Sequence, residues 1–355
     1  MDLESRLDLI REVGEEIITG EDLRQLLQTK KTPIAYDGFE PSGKIHIAQG
    51  VLRAINVNKM TKAGCKFKMW VADWHAWANN KMGGDLAKIQ KAGEYMVEVW
   101  KATGMDMGKV EVLWASDVMG KREYWEKVMK IAINSTLNRT IRCSQIMGRT
   151  ENEVLQTSQV FYPCMQAADI FQLEIDIAQL GMDQRKVNVF ARELAPKLGF
   201  AKPVAVHHHM LLGLTQINTA ASGIDRAIEM KMSKSKPESA IFMTDSREEV
   251  EHKIKKAFCP EKIVEDNPIL DYCRNIVFEK FKSLEIERPE KFGGNVTYHS
   301  YAELESDFAA GKLHPMDLKN ATALKINELL EPVRRHFERN TKAKKLLQEV
   351  NAVEK

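Results

Sequence analysis

Two short stretches of the chain carry side chains suited to holding phosphate groups. The first, YDGFEPSGKIHIAQ at residues 36–49, follows a strand-sized apolar run and leads into a helix that we expect to begin near Ile45. Unpaired N–H groups and the helix dipole favour an anion at such a helix start. Gly38 lets the backbone approach a ligand closely, and His46 can donate to a phosphoryl oxygen. On these residues alone, an ordinary strand and helix joined by a glycine turn is an equally good interpretation.

The second stretch is KMSKS at residues 231–235. It sets the ammonium groups of Lys231 and Lys234 in a loop of small residues that includes Ser233, which suits a mobile clamp on a triphosphate. Such charges contribute most where negative charge develops in a transition state. A generic basic pentapeptide is more often a solvated loop, so the spacing alone does not decide between the two interpretations.

A third stretch, YPCMQAAD at residues 162–169, could line a binding pocket. Tyr162, Gln166 and Asp169 stand at positions i, i+4 and i+7 of a predicted helix and therefore fall on one helix face. A hydroxyl, an amide and a carboxylate flanked by apolar residues would form a polar spot in an apolar pocket. The alternative is an exposed polar face.

The elements that must position these residues alternate between strands and helices. Strand-sized apolar runs are found at Pro33–Tyr36, Phe67–Ala72, Val110–Trp114, Leu173–Ala178 and Pro203–Val206. The longer amphipathic stretches between them predict helices, and the alternation predicts an α/β fold with a parallel sheet covered on both faces. Such sheets bind ligands at the carboxyl ends of their strands.

The two ends of the chain differ from this central part. Apolar residues at helical spacing, Leu7 to Ile17, and a capping box that starts at Thr19 predict a helical segment at residues 1–30. Beyond a boundary near residue 240, amphipathic stretches predict an all-α second domain whose last helix breaks or kinks at Pro332.

The composition limits the class of protein. With 355 residues, 44% of them hydrophobic, the chain can form two cores, because single cores stop growing near about 250 to 300 residues. The 52 Lys and Arg residues nearly balance the 50 Asp and Glu residues, so a polyanion must meet a local basic surface. The five cysteines lack disulfide or metal-site spacing, and no run reaches the ~18 apolar residues of a membrane span. We expect a cytoplasmic protein that contacts no membrane.

The motifs together resemble a known family. HIAQ after the first strand and KMSKS after the last resemble the signatures of class I aminoacyl-tRNA synthetases. GFEPSGK, ADWHA, YPCMQAADI and GMDQRKVNVFARE are similar to segments of eukaryotic and archaeal tyrosyl-tRNA synthetases, from about Ile34 to Phe337. The resemblance implies a Rossmann-like, doubly wound catalytic domain at residues 31–239, ending in the KMSKS loop. An α-helical anticodon-binding domain would follow at residues 240–355.

The resemblance also implies a tyrosine pocket. Tyr36 and Asp169 would bind the phenolic hydroxyl of the substrate. Phenylalanine would leave this buried pair without a partner, a basis of discrimination for which tyrosine-activating enzymes are the standard example. The family's contacts with the α-amino group fall on Tyr162, Gln166 and Gln184, with Glu40 behind them. His75 follows the second strand and would face the same crevice, where it either helps to position tyrosine or has a structural role.

The implied reaction is attack of the tyrosine carboxylate on the α-phosphorus of ATP, with Mg²⁺ accompanying ATP, followed by transfer to tRNA. Catalysis would come from positioning and charge stabilisation. The first motif departs from the usual HIGH, because Ala48 and Gln49 replace a glycine and a histidine, and Gln49 carries no charge. The residues placed at ATP by the resemblance are Gly38, His46, Gln49, Lys231, Ser233 and Lys234, of which His46, Gln49 and the two lysines are the catalytic candidates.

Three further residues are implied to bind tRNA. Arg185 would read the first base pair of the acceptor stem, although it could equally be a surface arginine. Pro260 and Asp317 would lie against the first anticodon base. The histidines at 207–209 cannot all face one metal ion and are expected to border the adenosine pocket, with no protein-ligated metal. Related enzymes are homodimers, so the resemblance implies a homodimer here.

Three other classes of protein remain as alternatives. A tryptophanyl-tRNA synthetase shares the fold and both motifs, but an indole offers only an N–H donor and does not need Tyr36 with Asp169. A synthetase relative that only binds RNA would not need the lysines and His46. A nucleotidylyltransferase with a similar histidine motif would not explain the C-terminal segments.

Overall fold

The centre of the protein is a six-stranded sheet. The computed structural model describes residues 1–143, 155–216, 220, 226, 229–232 and 236–353. Its strands are β1 (Gly14–Ile18), β2 (Ile34–Phe39), β3 (Lys66–Val71), β4 (Val110–Trp114), β5 (Ile177–Gly181) and β6 (Val204–His208). They lie in the order β1-β6-β5-β2-β3-β4, with β1 antiparallel to β6 and all other neighbours parallel. The α/β fold expected from the sequence is confirmed.

Helices cover both faces of this sheet. They are α1 (Leu3–Val13), α2 (Gly20–Thr29), α3 (Val51–Lys62), α4 (Asp73–Ala78), α5 (Leu86–Ala102), α6 (Ala115–Met119), α7 (Arg122–Ile133), α8 (Leu137–Ile141), α9 (Thr157–Gln172) and α10 (Arg185–Leu198). Because side chains of a strand alternate between faces, Ala35 packs into a core with α1, α3 and α5, whereas Tyr36 packs into a second core with α7, α9 and α10. The pleat therefore turns Tyr36 towards α9.

The remaining chain forms a mostly helical unit. Its elements are α11 (Arg247–Lys256), α12 (Pro268–Tyr272), a π-helical turn (Cys273–Val277), α13 (Phe278–Lys280), β7 (Leu284–Ile286), β8 (Val296–Tyr298), α14 (Tyr301–Ala309), α15 (Pro315–Arg339) and α16 (Thr341–Val353). The antiparallel pair β7 and β8 differs from the all-α expectation. The expected break at Pro332 is wrong, because α15 continues through it with Leu330 and Val333 fully buried on either side. Among the described residues, no helix is long and apolar enough to cross a membrane.

The N-terminal segment is not helical throughout. Thr19 caps α2 by accepting a hydrogen bond from the backbone N–H of Asp22 at 3.0 Å, as the sequence predicts. However, α1 ends at Val13, and Ile17 lies in a strand opposite Val206 rather than in a helix. The edge of β6 offers unpaired backbone groups, and this pairing satisfies them.

The helix expected near Ile45 begins only at Val51. The backbone before it pairs with a distant segment instead. The N–H of Ile47 donates to the carbonyl of Ile241 and the N–H of Met243 donates to the carbonyl of Ile45, both at 2.8 Å. These hydrogen bonds pair the backbone around His46 with Phe242, and residues 47–50 then form a turn before α3.

Candidate active site

The carboxyl ends of the central parallel strands open into a cleft of about 300 Å³. This is where a parallel sheet is expected to bind a ligand. Ser233 and Lys234 lie outside the described residues. The residues singled out from the sequence that line the cleft are Tyr36, Gly38, Glu40, His46, Gln49, His75, Tyr162, Gln166, Asp169, Gln184 and Lys231.

Helix α9 supplies a polar face to this cleft. Tyr162, Gln166 and Asp169 are only 5%, 8% and 1% exposed, so the helix-spacing prediction is confirmed and the exposed polar face is ruled out. Leu180 and Met165 add apolar surface nearby, in the same core. The result is a small set of polar groups in apolar surroundings, as ligand pockets usually have.

Asp169 is the centre of a buried hydrogen-bonding group. Its Oδ1 accepts a hydrogen bond from the Tyr124 hydroxyl at 2.8 Å, and its Oδ2 lies 2.9 Å from His75 Nε2. Burial is the largest effect on His75 and lowers its pKa. The interactions with Asp169 and the charges of Glu40 and Asp73 together outweigh burial, so the net shift of this pKa is upward. The upward shift favours an imidazolium that forms an ion pair with the carboxylate, since neither ring nitrogen has a hydrogen-bond partner of regular geometry among the described residues.

Tyr36 faces the same carboxylate from β2. Its hydroxyl is buried and has no hydrogen-bond partner among the residues that the structure describes. Burial, followed by the charge of Asp169, raises the pKa of Tyr36 well above its ordinary value, so the phenol stays protonated. Leaving a buried polar group unpaired costs about 1–3 kcal/mol. A ligand hydroxyl that reached both Tyr36 and Asp169 would remove this cost.

A second polar group lies around Glu40 and the first turns of α9. Glu40 accepts hydrogen bonds from Asn79 Nδ2 at 3.0 and 3.3 Å. Burial, and then the Glu40 carboxylate, raise the pKa of the Tyr162 phenol. Gln166 Nε2 donates to Gln184 Oε1 at 3.0 Å. Carboxylate, hydroxyl and amide oxygens together suit an ammonium group.

The two candidate phosphate-binding motifs border the same cleft. His46 and Gln49 lie in the turn before α3, and Trp100 Nε1 fixes this turn by donating to the Gln49 carbonyl at 3.0 Å. Gln49 Oε1 is buried without a hydrogen-bond partner within the described part of the chain. Lys231 reaches the cleft from the other motif, with its Nζ 2.7 Å from Asp183 Oδ2. Charged and polar donors thus converge from separate segments.

Because Gly38 has no side chain, it leaves room for the neighbouring Trp70. A Cβ on Gly38 would stand 3.0 Å from Cδ1 of Trp70, closer than real Cβ contacts usually are. Trp70 packs edge-on to His75, with ring centroids 6.4 Å apart. The glycine therefore allows the tryptophan to support the imidazole that faces Asp169.

An ion pair under the cleft could not be read from the sequence. Arg53 Nη1 lies 2.6 Å from Asp37 Oδ2, and Arg53 Nη2 lies 2.6 Å from His208 Nε2. Burial raises the pKa of Asp37 to about 7 and lowers that of His208 well below its usual value. Neutral His208 can therefore accept from the guanidinium. The pair joins α3 to β2 and β6 beneath the cleft.

Two other residues of the site were not predicted from the sequence, for different reasons. Tyr124 shares a helix face with Val128 and Ile131, which is typical of core packing, so nothing in the sequence marks it as the partner of Asp169. Asp183 directly precedes Gln184 and could have been noticed as a carboxylate in a candidate site string.

The candidate tRNA residues lie outside the cleft. Arg185 begins α10, and its Nε donates to the carboxylate of Glu16 at 2.8 and 3.0 Å. Pro260 and Asp317 lie in the C-terminal unit. Their segments are neighbours there, since His314 Nε2 is 3.8 Å from Glu261 Oε1. The structure thus separates these three residues from the tyrosine and phosphate candidates.

The consecutive histidines face different partners. His207 Nδ1 lies 2.8 Å from Glu16, while His208 and His209 line the cleft. His209 is flanked by the carboxylates of Glu15 and Asp271. In the described ranges, no group of three or more His, Cys, Asp or Glu side chains could hold a metal ion.

Comparison with known proteins gives consistent matches over the whole chain. The family model described as tRNA synthetases class I (W and Y) matches residues 28–331. The chain is 51% identical to tyrosine–tRNA ligase 1, cytoplasmic, of Arabidopsis thaliana, over 99% of this chain and 89% of that protein. It is 44% identical to the tyrosine–tRNA ligase of Thermococcus kodakarensis, over 99% of each chain. The crystal structure of tyrosyl-tRNA synthetase complexed with L-tyrosine from Pyrococcus horikoshii is similar with a TM-score of 0.92 and 42% identity, over 98% of this chain and 100% of that one.

Proposed function

Because the chain belongs to the family of class I tRNA synthetases for tryptophan and tyrosine, we infer from its relatives that it is a tyrosine–tRNA ligase. It activates L-tyrosine with ATP to tyrosyl-adenylate, releases pyrophosphate, and transfers the tyrosyl group to the 3′-terminal adenosine of tRNA. Two relatives from Arabidopsis thaliana are named cytoplasmic, and we assign this enzyme to the cytoplasm. The observation that carries the choice of substrate is the Tyr36 hydroxyl, which is buried within the electrostatic influence of Asp169 and has no hydrogen-bond partner in the part of the chain that the structure describes.

We propose that Tyr36 and Asp169 bind the phenolic hydroxyl of tyrosine. A phenol both donates and accepts, so it can donate to the carboxylate and still accept from the tyrosine hydroxyl. An indole offers only a donor and would leave the Tyr36 O–H unpaired in a buried place. The need for a group that both donates and accepts, together with the two tyrosine–tRNA ligase relatives, favours tyrosine over tryptophan as the substrate.

The other end of the substrate would lie against the Glu40 group. Glu40, Tyr162 and Gln166 would hold the α-ammonium, with Gln184 fixing the amide of Gln166 at 3.0 Å. His75 would hold Asp169 in place rather than contact the reacting atoms. Fixing both ends of the amino acid directs its carboxylate towards the phosphate side of the cleft, which is the positioning that the in-line attack needs.

We propose that His46, Gln49, Lys231 and Lys234 stabilise the phosphates as charge develops on the leaving pyrophosphate. Support comes from the placement of His46, Gln49 and Lys231 around one cleft. Gly38 and Ser233 would contribute backbone or hydroxyl contacts to ATP. Mg²⁺ would enter with ATP, since this ion keeps most of its waters and binds largely through substrate phosphates.

We propose that residues 240–355 bind the anticodon and that Arg185 contacts the acceptor stem. Pro260 and Asp317 would read the first anticodon base, and the adjacency of their segments supports a shared site. Arg185 would exchange its Glu16 partner for tRNA. Residues 31–239 would then form the catalytic domain, and residues 1–30 pack against its sheet edge.

We propose that the enzyme is a homodimer. An exposed apolar surface supports this, because contiguous exposed apolar surface on a folded protein often marks an interface. On α7, Trp125, Met129 and Ile133 recur every four residues with exposures of 39%, 49% and 76%, and Leu137 follows on α8 at 59%. If this surface forms the dimer, Ile133→Asp should give a monomer in sedimentation or sizing experiments, whereas an unchanged mass would reject this interface.

The experiment that tests the proposed function is exchange of labelled pyrophosphate into ATP with each of the twenty amino acids. We expect exchange with tyrosine alone. Exchange with tryptophan alone, or with none, would overturn the assignment. Asp169→Ala should abolish the preference for tyrosine over phenylalanine, while His252→Gln, on the exposed face of α11, should leave it unchanged.

A further inference from the structure

His209 connects three parts of the protein at the edge of the cleft. It directly follows β6, and its Nε2 lies 2.8 Å from Asp271 Oδ1 on α12. Its Nδ1 lies 3.3 Å from Glu15 Oε2 on β1. Burial disfavours charge, but the hydrogen bonds to Asp271 and Glu15 outweigh it and raise the pKa of His209 to about 10. The imidazolium therefore donates to a carboxylate on each side throughout the physiological pH range.

Asp271 also contacts the backbone segment that pairs with the KMSKS motif. Its Oδ2 accepts a hydrogen bond from the backbone N–H of Leu212 at 2.9 Å, and Asn275 Nδ2 holds its Oδ1 at 2.8 Å. Leu212 forms an antiparallel bridge with Lys231. One carboxylate of the C-terminal unit thus holds the backbone segment that pairs with the first lysine of the KMSKS motif.

A second contact from α12 lies on the Lys231 side of the bridge between Leu212 and Lys231. The hydroxyl of Tyr272, fully buried beside Asp271 on α12, lies 3.8 Å from the sulfur of Met232. The N–H of Gly213 also donates to the carbonyl of Met230 at 2.8 Å. Helix α12 therefore contacts both segments that define where Lys231 enters the cleft, through the backbone of Leu212 and through the side chain of Met232.

We propose that His209 and Asp271 are positioning residues for adenylate formation, which fix Lys231 at the nucleotide by holding α12 against residues 211–213. This inference rests on the proposed function. Neither residue needs to touch the reacting atoms, because both act on the backbone that carries Lys231. The tyrosine contacts come from β2 and α9, so loss of this pair should affect ATP use without affecting tyrosine binding.

The test is tyrosine-dependent pyrophosphate exchange with His209→Gln and Asp271→Asn. Each variant should lower kcat/KM for ATP about tenfold, the usual effect of losing one hydrogen bond to a charged group. The KM for tyrosine should stay within about twofold of the wild type. His209→Lys keeps a cation and should retain more activity than His209→Gln. The matched control, His252→Gln, should match the wild type.

A double variant separates positioning from general damage. If the pair acts through Lys231, adding Asp271→Asn to Lys231→Ala should change kcat/KM for ATP by less than about twofold. A further tenfold loss in that background, or an equal rise in the KM for tyrosine, would overturn the proposal. Thermal unfolding of each variant shows whether activity loss merely follows lost stability. A wild type without tyrosine-dependent exchange would reject the proposed function, whereas an active wild type with unaffected variants rejects only the positioning role.

Discussion

Replacing Tyr36 by phenylalanine tests how the pocket distinguishes tyrosine from phenylalanine. The change removes one oxygen atom whose buried position has no partner within the described chain, and it leaves Asp169 and its hydrogen bond from Tyr124 in place. Bound tyrosine would lose one hydrogen bond between neutral groups, which is worth about 1 kcal/mol. We therefore expect kcat/KM for tyrosine to fall about fivefold.

Phenylalanine should respond differently. The Tyr36 hydroxyl has no partner within the described chain before a ligand binds, and bound phenylalanine leaves it without one, so its cost is the same in the free and the bound enzyme. Removing this hydroxyl should therefore leave phenylalanine activation nearly unchanged, and selectivity for tyrosine should fall by the same factor of about five.

Tyr124→Phe is the matched control because it removes the same atom from the other tyrosine beside Asp169. Tyr124 donates to Asp169 at 2.8 Å, so its hydroxyl is paired in the protein itself. Its loss should weaken tyrosine activation without improving phenylalanine activation, and selectivity should shift by less than about threefold. Pyrophosphate exchange measured with both amino acids gives the ratio. An unchanged ratio in Tyr36→Phe, or an equal shift in both variants, would refute the reasoning.

Three further outcomes follow from the structure. Lys231→Ala should lower the rate of pyrophosphate exchange about 100-fold with little change in the Kd of tyrosine, because its charge acts on the developing pyrophosphate; an equal loss of both would contradict this. Arg185→Ala should lower tRNA charging about tenfold and spare pyrophosphate exchange, because this side chain lies at Glu16 outside the cleft; a parallel loss of exchange would assign it to the first step. Burial raises the pKa of Asp37 from 3.8 to about 7, so the wild type should lose free energy of unfolding as pH rises from about 4 to 7. In urea unfolding measured near pH 4 and near pH 7, the Asp37→Asn variant should lose up to about 4 kcal/mol less free energy of unfolding than the wild type. An identical loss in the two proteins would show that Asp37 is already ionised.

The parts of the fold that follow local patterns could be predicted from the sequence. Tyr162, Gln166 and Asp169 share a face because any helix places positions i, i+4 and i+7 together, and their burial agrees with this. Val110 to Trp114 was predicted as a strand with the bounds that the structure has. These features depend on residues only a few positions apart.

The parts that depend on distant residues could not be predicted. The strand at Ile17 forms because the edge of β6 lies beside it, although its own spacing is helical. The late start of α3 depends on Ile241, nearly 200 residues away in sequence. Arg53 likewise meets His208 across a separation of 155 residues. Propensity and periodicity describe the chain locally, and tertiary pairing overrides both where a partner is available.

The pairing of residues 45–47 with 241–243 bears on the altered first motif. Gln49 carries no charge, yet its turn is fixed by Trp100 and by backbone bonds from Ile47 and Met243, which do not depend on its side chain. A neutral amide in a fixed position can still donate a hydrogen bond to a phosphate oxygen, but it adds no charge to oppose the developing pyrophosphate. More of that stabilisation must then come from the lysine motif. The positions of Lys231 and of the backbone that holds it should therefore matter more for this enzyme than for relatives with a second histidine.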